Sequence, residues 1–172
     1  DTLTTVGHGD VIPLNLFRIT WKNEAKESGG LFQEVPNYVE IQSELSCVPC
    51  RILAMSGKCF PPGCHKVGAS FGCLAPRLVT GQFAATYHHA VWPSTGNYCR
   101  GGAFNSKLLA VDSVAILPAE MSKERFEWLS KIAGQVIATP GCESNVKEIF
   151  DKTWELKQDP SMMIFTQFEE MG

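Results

Sequence analysis

A chain of 172 residues, 44% hydrophobic and 19% charged, has the composition of a globular protein that buries about two-thirds of its unfolded surface. Its net charge is −3, with 15 Lys and Arg residues scattered singly among 18 acidic ones, so it offers no basic stripe to follow a phosphate backbone and nucleic acid is not the favoured partner. The longest mainly apolar run, Leu108 to Leu117, is interrupted by Asp112 and stopped by Pro118, well short of the roughly 18 residues a membrane span needs, so the chain reads as soluble, with 1–172 as a single domain.

The chain begins at Asp1 with no methionine and no signal-like segment, which reads as a processed or trimmed product. The opening Thr5-Val6-Gly7-His8-Gly9-Asp10 resembles the filter signature of potassium channels. A filter needs an apolar helix after it, whereas Asn15, Arg18, Lys22, Glu24 and Lys26 follow. The stretch therefore reads as a glycine-rich turn with His8 and Asp10 facing water.

Alternation predicts a strand over Asn15 to Trp21, with Phe17, Ile19 and Trp21 on one face. Lys22 to Gly30 reads as a charged loop, and Val35 to Leu45 as a second strand with one acidic, solvated face. Arg51 to Met55 reads as a short strand. From Ser56 to Pro76 the residues Gly57, Pro61, Pro62, Gly63, Gly68 and Gly72 predict loop geometry. Leu78 to Trp92 suggests a strand pair bent at Gly81, Pro93 to Gly102 a turn-rich loop, and Lys107 to Leu117 a buried strand.

After Pro118 the period changes to 3.6. Phe126, Leu129, Ile132 and Val136 predict a helix that Ser122 would cap, and Val146, Ile149, Phe150 and Trp154 predict a second one after Asn145. Met162 to Phe168 reads as a final strand. The expected fold class is α+β: a β-rich N-terminal two-thirds with long Gly/Pro loops, and two amphipathic helices near the C-terminus.

Candidate chemistry concentrates between Cys47 and Cys73. Cys47 and Cys50 have the two-residue spacing that lets two thiolates reach one zinc ion, and Cys59, Cys64 and His65 are available to complete a tetrahedron. Cys47-Val48-Pro49-Cys50 also resembles the Cys-x-Pro-Cys site of thioredoxin-type proteins. That resemblance implies a thiol-disulfide redox role with Cys47 as nucleophile and Cys50 as resolving thiol. The third alternative is plain burial or disulfide pairing, with the odd total of seven cysteines leaving at least one thiol over and favouring a reducing intracellular compartment.

A papain-like cysteine hydrolase would draw its thiolate from Cys64 or Cys73, its imidazole from His88 or His89 and its orienting group from Asn105 or Asp112, all in a workable chain order. On a strand, His88 and His89 point to opposite faces, so at most one can serve. Asp112 in its apolar run otherwise reads as a buried, hydrogen-bonded structural acid.

The favoured functional expectation is a non-enzymatic interaction or assembly protein whose partner is another protein or a copy of itself. Arg51-Ile52-Leu53-Ala54-Met55-Ser56-Gly57, together with the order strand, long loops, strands, helix, resembles rhabdovirus-type matrix proteins. The resemblance implies self-association.

Overall fold

The structure is a computed structural model that describes residues 2–19, 24 and 38–170. The expected loop at 22–30, the end of the first expected strand and the start of the second lie outside the described residues, Glu24 excepted. The chain divides into two compact units, Asp1–His65 and Lys66–Gly172.

In the first unit the β-rich expectation fails. Where alternation predicts a strand from Asn15, a 3₁₀ helix runs over Pro13–Arg18, after an earlier one over Thr2–Thr5. Pro13 presets the helical φ at its start. Asn15 and Arg18 are three residues apart, which in a 3₁₀ turn places them on one side. Both side chains are buried. Asn15 Nδ2 donates to the carbonyls of Gly7 (2.9 Å) and Asp10 (2.7 Å), and Arg18 donates to those of Val6 (2.8 Å) and Leu3 (2.9 Å). The opening glycine turn is thus held by two side chains that the period-two reading assigned to a strand.

A short hairpin follows, β1 (Tyr38–Ile41) antiparallel to β2 (Ile52–Met55), with Tyr38 opposite Met55 and Ile41 opposite Ile52. Between them lies one turn of helix, α1 (Ser43–Ser46), closed by Cys47 in the left-handed conformation at φ 56.

The second unit is built on a parallel sheet of four strands: β3 (His89–Pro93), β4 (Ser113–Pro118), β5 (Gln135–Thr139) and β6 (Met162–Ile164), in spatial order β5-β4-β3-β6. Helices connect them: α2 (Lys66–Val79) precedes β3, α3 (Asn97–Leu108) joins β3 to β4, α4 (Lys123–Ile132) joins β4 to β5, and α5 (Val146–Leu156) joins β5 to β6. A single turn, α6 (Gln167–Glu170), follows β6. Parallel strands need such crossovers, and a sheet covered on both faces needs apolar strands throughout. Every residue of β4 is buried accordingly. The molecule is mixed α/β, not β-rich over its first two-thirds.

The two faces of the sheet are packed differently. Val91, Val114 and Ile116 pack with Ile149 of α5 on one face. The alternate residue Trp92 points to the other, where its indole N–H donates to Ser106 Oγ of α3 at 3.0 Å. The helices α4 and α5 stand where the period-3.6 stripes put them, although Val136, assigned to the first stripe, belongs to β5.

Two expected loops are helices. Gly68, Gly72 and Pro76 within α2 each lower helix propensity, by about 1 kcal/mol for Gly and about 3 for Pro. Burial of Val67, Ser70, Cys73 and Leu74 along one face overrides them. In α3 the glycines permit close approach. A Cβ on Gly101 would come within 2.8 Å of the Lys66 carbonyl and the Val67 nitrogen, which are backbone atoms with no rotamer to escape into. Asn105 fastens the same contact, its Nδ2 donating to the Val67 carbonyl at 2.7 Å and to Ser70 Oγ at 2.8 Å. Gly101→Ala is therefore expected to cost about 1–3 kcal/mol in urea unfolding, and an unchanged midpoint would show that α2 and α3 do not need this contact.

Candidate functional site

The order in which the strands are laid down locates the site. From β3 the chain moves outward through β4 to β5, then returns to place β6 on the opposite side of β3. In open parallel sheets ligands bind outside the carboxyl ends of the strands where the order reverses, here between β3 and β6. The residues that leave these ends are Ser94, Thr95 and Gly96 after β3, and Phe165, Thr166 and Gln167 after β6.

The segment after β3 runs directly into α3. Gly96 adopts φ 154 and ψ −62, its N–H donates to Ser94 Oγ at 3.0 Å, and no side chain caps the helix. First-turn N–H groups have no partner within their own helix, and the helix dipole makes that end positive. Arg125 of α4 adds a guanidinium beneath the segment and donates to the Thr95 carbonyl at 3.2 Å. It lies so close that a Cβ on Gly96 would sit 2.4 Å from its Nη1. Helix terminus and guanidinium together suit a carboxylate or phosphate.

A cavity of about 140 Å³ opens beside this segment. Its polar wall is Ser94, Thr95, Thr166 and Gln167, and its apolar wall includes Val146, Ile149, Phe150 and Phe168. None of these carries a formal charge. Thr166 is 8% exposed, and its Oγ1 is buried with no hydrogen-bond partner.

Lys66 opens α2 and is half-buried. Among the described lysines only Lys66 and Lys152 are not exposed, and Lys152 is paired with Glu155 on α5 at 2.6 Å. Contact with Gly101 brings the Lys66 backbone to α3 one turn beyond Asn97. The Lys66 backbone is thus fixed against α3.

The residues singled out from the sequence are placed elsewhere. His89 Nδ1 and Asp112 Oδ2 do come together, at 2.8 Å, and Asp112 Oδ1 accepts the Ser113 N–H at 2.9 Å. Asp112 is a half-exposed partner of His89, not a buried structural acid. This pair lies at the amino ends of β3 and β4, the opposite edge from the switch point. His88 Nδ1 accepts the Ala84 N–H at 2.8 Å. Cys73 receives the Tyr98 hydroxyl at 3.6 Å, near the carboxyl end of the sheet, so the structure sets Cys73 and the His89–Asp112 pair at opposite ends of the strands.

In the first unit Cys47 and Cys50 are exposed free thiols, Cys59 and Cys64 are buried, and Cys64 Sγ lies 4.0 Å from His65 Nδ1. Among the described residues no group of three or more His, Cys, Asp and Glu side chains is arranged to hold a metal ion. Among the same residues no helix is long and apolar enough to cross a membrane.

No family model matches the sequence, and no curated protein matches it. Solved structures do match the fold. A hydrogen sulfide-producing enzyme from Fusobacterium nucleatum is 20% identical at a TM-score of 0.62, covering 76% of this chain and 42% of its own. An O-acetylserine-dependent cystathionine beta-synthase from Helicobacter pylori is 18% identical at 0.63, covering 74% and 42%. A cystathionine beta-synthase from Bacillus anthracis is 20% identical at 0.54, covering 77% and 50%. The chain spans half or less of each neighbour's length. The fold it shares is one that enzymes use, and this overturns the expectation of a non-enzymatic, self-assembling protein of viral matrix type.

Proposed function

We propose that this chain forms part of an enzyme acting on a small sulfur-containing amino acid or its activated serine precursor. The observation that carries the reading is the uncapped start of α3 at the switch point of a parallel sheet, backed by Arg125 and with the Lys66 backbone packed on the same helix, on a fold shared with sulfur amino-acid enzymes. The α3 terminus would take the substrate carboxylate on its N–H groups, and Ser94, Thr95 and Gln167 would orient the rest of the molecule through neutral hydrogen bonds.

A fold of the pyridoxal phosphate type implies that cofactor, and the residues present fit it. Its aldehyde needs a lysine amine, and Lys66 is the described half-buried lysine whose backbone packs on α3, the helix that opens at the candidate site. When bound, the group supplies an electron sink for negative charge developing on the substrate. The part left to this chain is to hold the carboxylate, present the Lys66 amine as cofactor anchor and proton carrier, and screen the site from water with the apolar wall of Phe150 and Phe168.

The test is sulfide release from L-cysteine by the protein supplied with pyridoxal phosphate. The expected result is measurable sulfide, reduced at least tenfold in Lys66→Ala. Absence of sulfide and of any cofactor absorbance in the unmutated protein, or a Lys66→Ala rate equal to it, would overturn the reading.

A further inference from the structure

The wall that the chain beyond β6 supplies to the candidate site has little of its own to hold it in place. Thr166, Gln167 and Phe168 all line the cavity. They follow β6, a three-residue strand at the edge of the sheet, and lead into α6, a single turn in which no residue is buried. One turn of helix has little cohesion by itself, because nucleation costs more than a single hydrogen bond returns. The backbone ties of the segment are the Phe165 N–H to the Val91 carbonyl at 2.9 Å and the Glu170 N–H to the Thr166 carbonyl at 3.1 Å.

Arg77, in the last turn of α2, reaches both ends of this segment. Its guanidinium stands over the Phe165 ring, 4.8 Å from the centroid, and Phe165 is itself fully buried and stacked on Trp92. Its Nη2 donates to Glu170 Oε1 at 2.8 Å. The paired side chains are only 29% and 18% exposed, so they are sheltered from the water and salt that leave most surface pairs weak. One guanidinium thus clamps the chain immediately before the wall residues and two positions after them.

We infer that Arg77 is a positioning residue for the candidate site: through Phe165 and Glu170 it fixes the path of residues 166–168, and with it the place from which Gln167 meets a ligand. What Gln167 does for substrate rests on the proposed function, whereas the clamp does not. Arg77→Gln removes the charge from both contacts while keeping a good helix former. Arg77→Lys keeps the charge, and because Glu170 accepts a single hydrogen bond here, an ammonium can replace the guanidinium.

The experiment is amide hydrogen exchange by NMR on the whole protein, together with KM and kcat for sulfide release from L-cysteine. Arg77→Gln is expected to speed exchange of the Glu170 amide about tenfold, the worth of one charge-assisted hydrogen bond. The Phe165 amide, held by β3, is expected to keep its rate, which marks the release as local. Arg77→Lys is expected to restore most of the protection. In protein that releases sulfide, Arg77→Gln is expected to raise KM about three- to tenfold at nearly constant kcat, since a misplaced Gln167 weakens substrate and transition state alike. A merely weakened fold would instead lower kcat by reducing the active fraction and leave KM alone. An unchanged Glu170 rate in Arg77→Gln, equal acceleration at Phe165, or a lower kcat at constant KM would each overturn the inference. If the unmutated protein releases no sulfide, the proposed function falls and the exchange rates alone decide the clamp.

Discussion

Trp92→Ala will destabilise the second unit by about 3–5 kcal/mol, the range for emptying a buried large aromatic site. The indole is fully buried and held by four different neighbours. Its N–H donates to Ser106 Oγ at 3.0 Å, its ring stacks on Phe165 at 4.5 Å and 16°, and Tyr98 meets it edge-on at 5.4 Å. From below, α3 approaches so closely that a Cβ on Gly102 would fall 2.1 Å from the ring. No neighbour can follow the deleted side chain inward, because Gly102 has nothing to extend and Phe165 is held by the pairing of β6 with β3 through its own N–H to the Val91 carbonyl at 2.9 Å. Alanine also strands the Ser106 hydroxyl. For a domain of ordinary stability, about 5–15 kcal/mol, the loss takes a large share of the total. Urea unfolding followed by circular dichroism reads it directly, and a cost below about 1 kcal/mol would mean that the core collapses around the site. Gly102→Ala attacks the same contact from the helix side and should also destabilise, since the added methyl has only the buried indole to displace.

Stability will also fall steeply in alkali, and Cys99 will account for a measurable part of the fall. Its thiol is fully buried in the first turn of α3 and donates to the Gly96 carbonyl at 3.0 Å. Burial pushes it up to about 12, with Arg125 pulling the other way. In the unfolded chain the thiol ionises near its ordinary value of about 8.5. Between these two pH values the folded state keeps a proton that the unfolded state has released, so unfolding becomes more favourable as pH rises. The contribution is fully present below about pH 8.5 and is lost toward pH 12 at roughly 1.4 kcal/mol per pH unit. Tyr98 and Cys73 are shifted upward by burial too, so they add to the same limb. Urea midpoints at pH 8, 9, 10 and 11 should therefore drop faster in the unmutated protein than in Cys99→Ala. Parallel curves would show that the thiol reaches solvent in the folded state.

These two results test parts of the molecule that differ in how far the sequence announces them. The strands β2 and β6 and the helices α4 and α5 are legible because each follows one period over a stretch without Gly or Pro: Val146, Ile149 and Thr153 make a stripe that needs no tertiary information. The helices α2 and α3 are not legible. Their glycines carry the penalty of an exposed helix, and only the packing of Gly101 on Lys66 and of Gly102 on Trp92 explains why glycine is required there. The 3₁₀ helix at Pro13–Arg18 fails for a related reason, since alternation detects which residues are apolar but not that Asn15 and Arg18 will find backbone carbonyls to bond.

The candidate site was missed for similar reasons. Cysteine and histidine carry the distinctive chemistry along the sequence, whereas the switch-point site is made of Ser94, Thr95, Gly96, Thr166 and Gln167 and the backbone between them. The available signal is Ser94-Thr95-Gly96-Asn97 after a short apolar run, a strand-to-helix turn rich in small residues, and Gly101 and Gly102 hide it by arguing against the helix beyond.

By itself the sequence determined that this is a globular chain of near-neutral charge whose C-terminal third carries two amphipathic helices and a final strand, because composition and period are local properties. Only the tertiary structure decided that β3 through β6 form a parallel sheet, that its order reverses between β3 and β6, and that Arg125 and Thr166 come to that edge. Strand order is set by crossover packing between residues scores of positions apart, and a site assembled from strand ends and a helix terminus has no spacing along the chain for a motif to record.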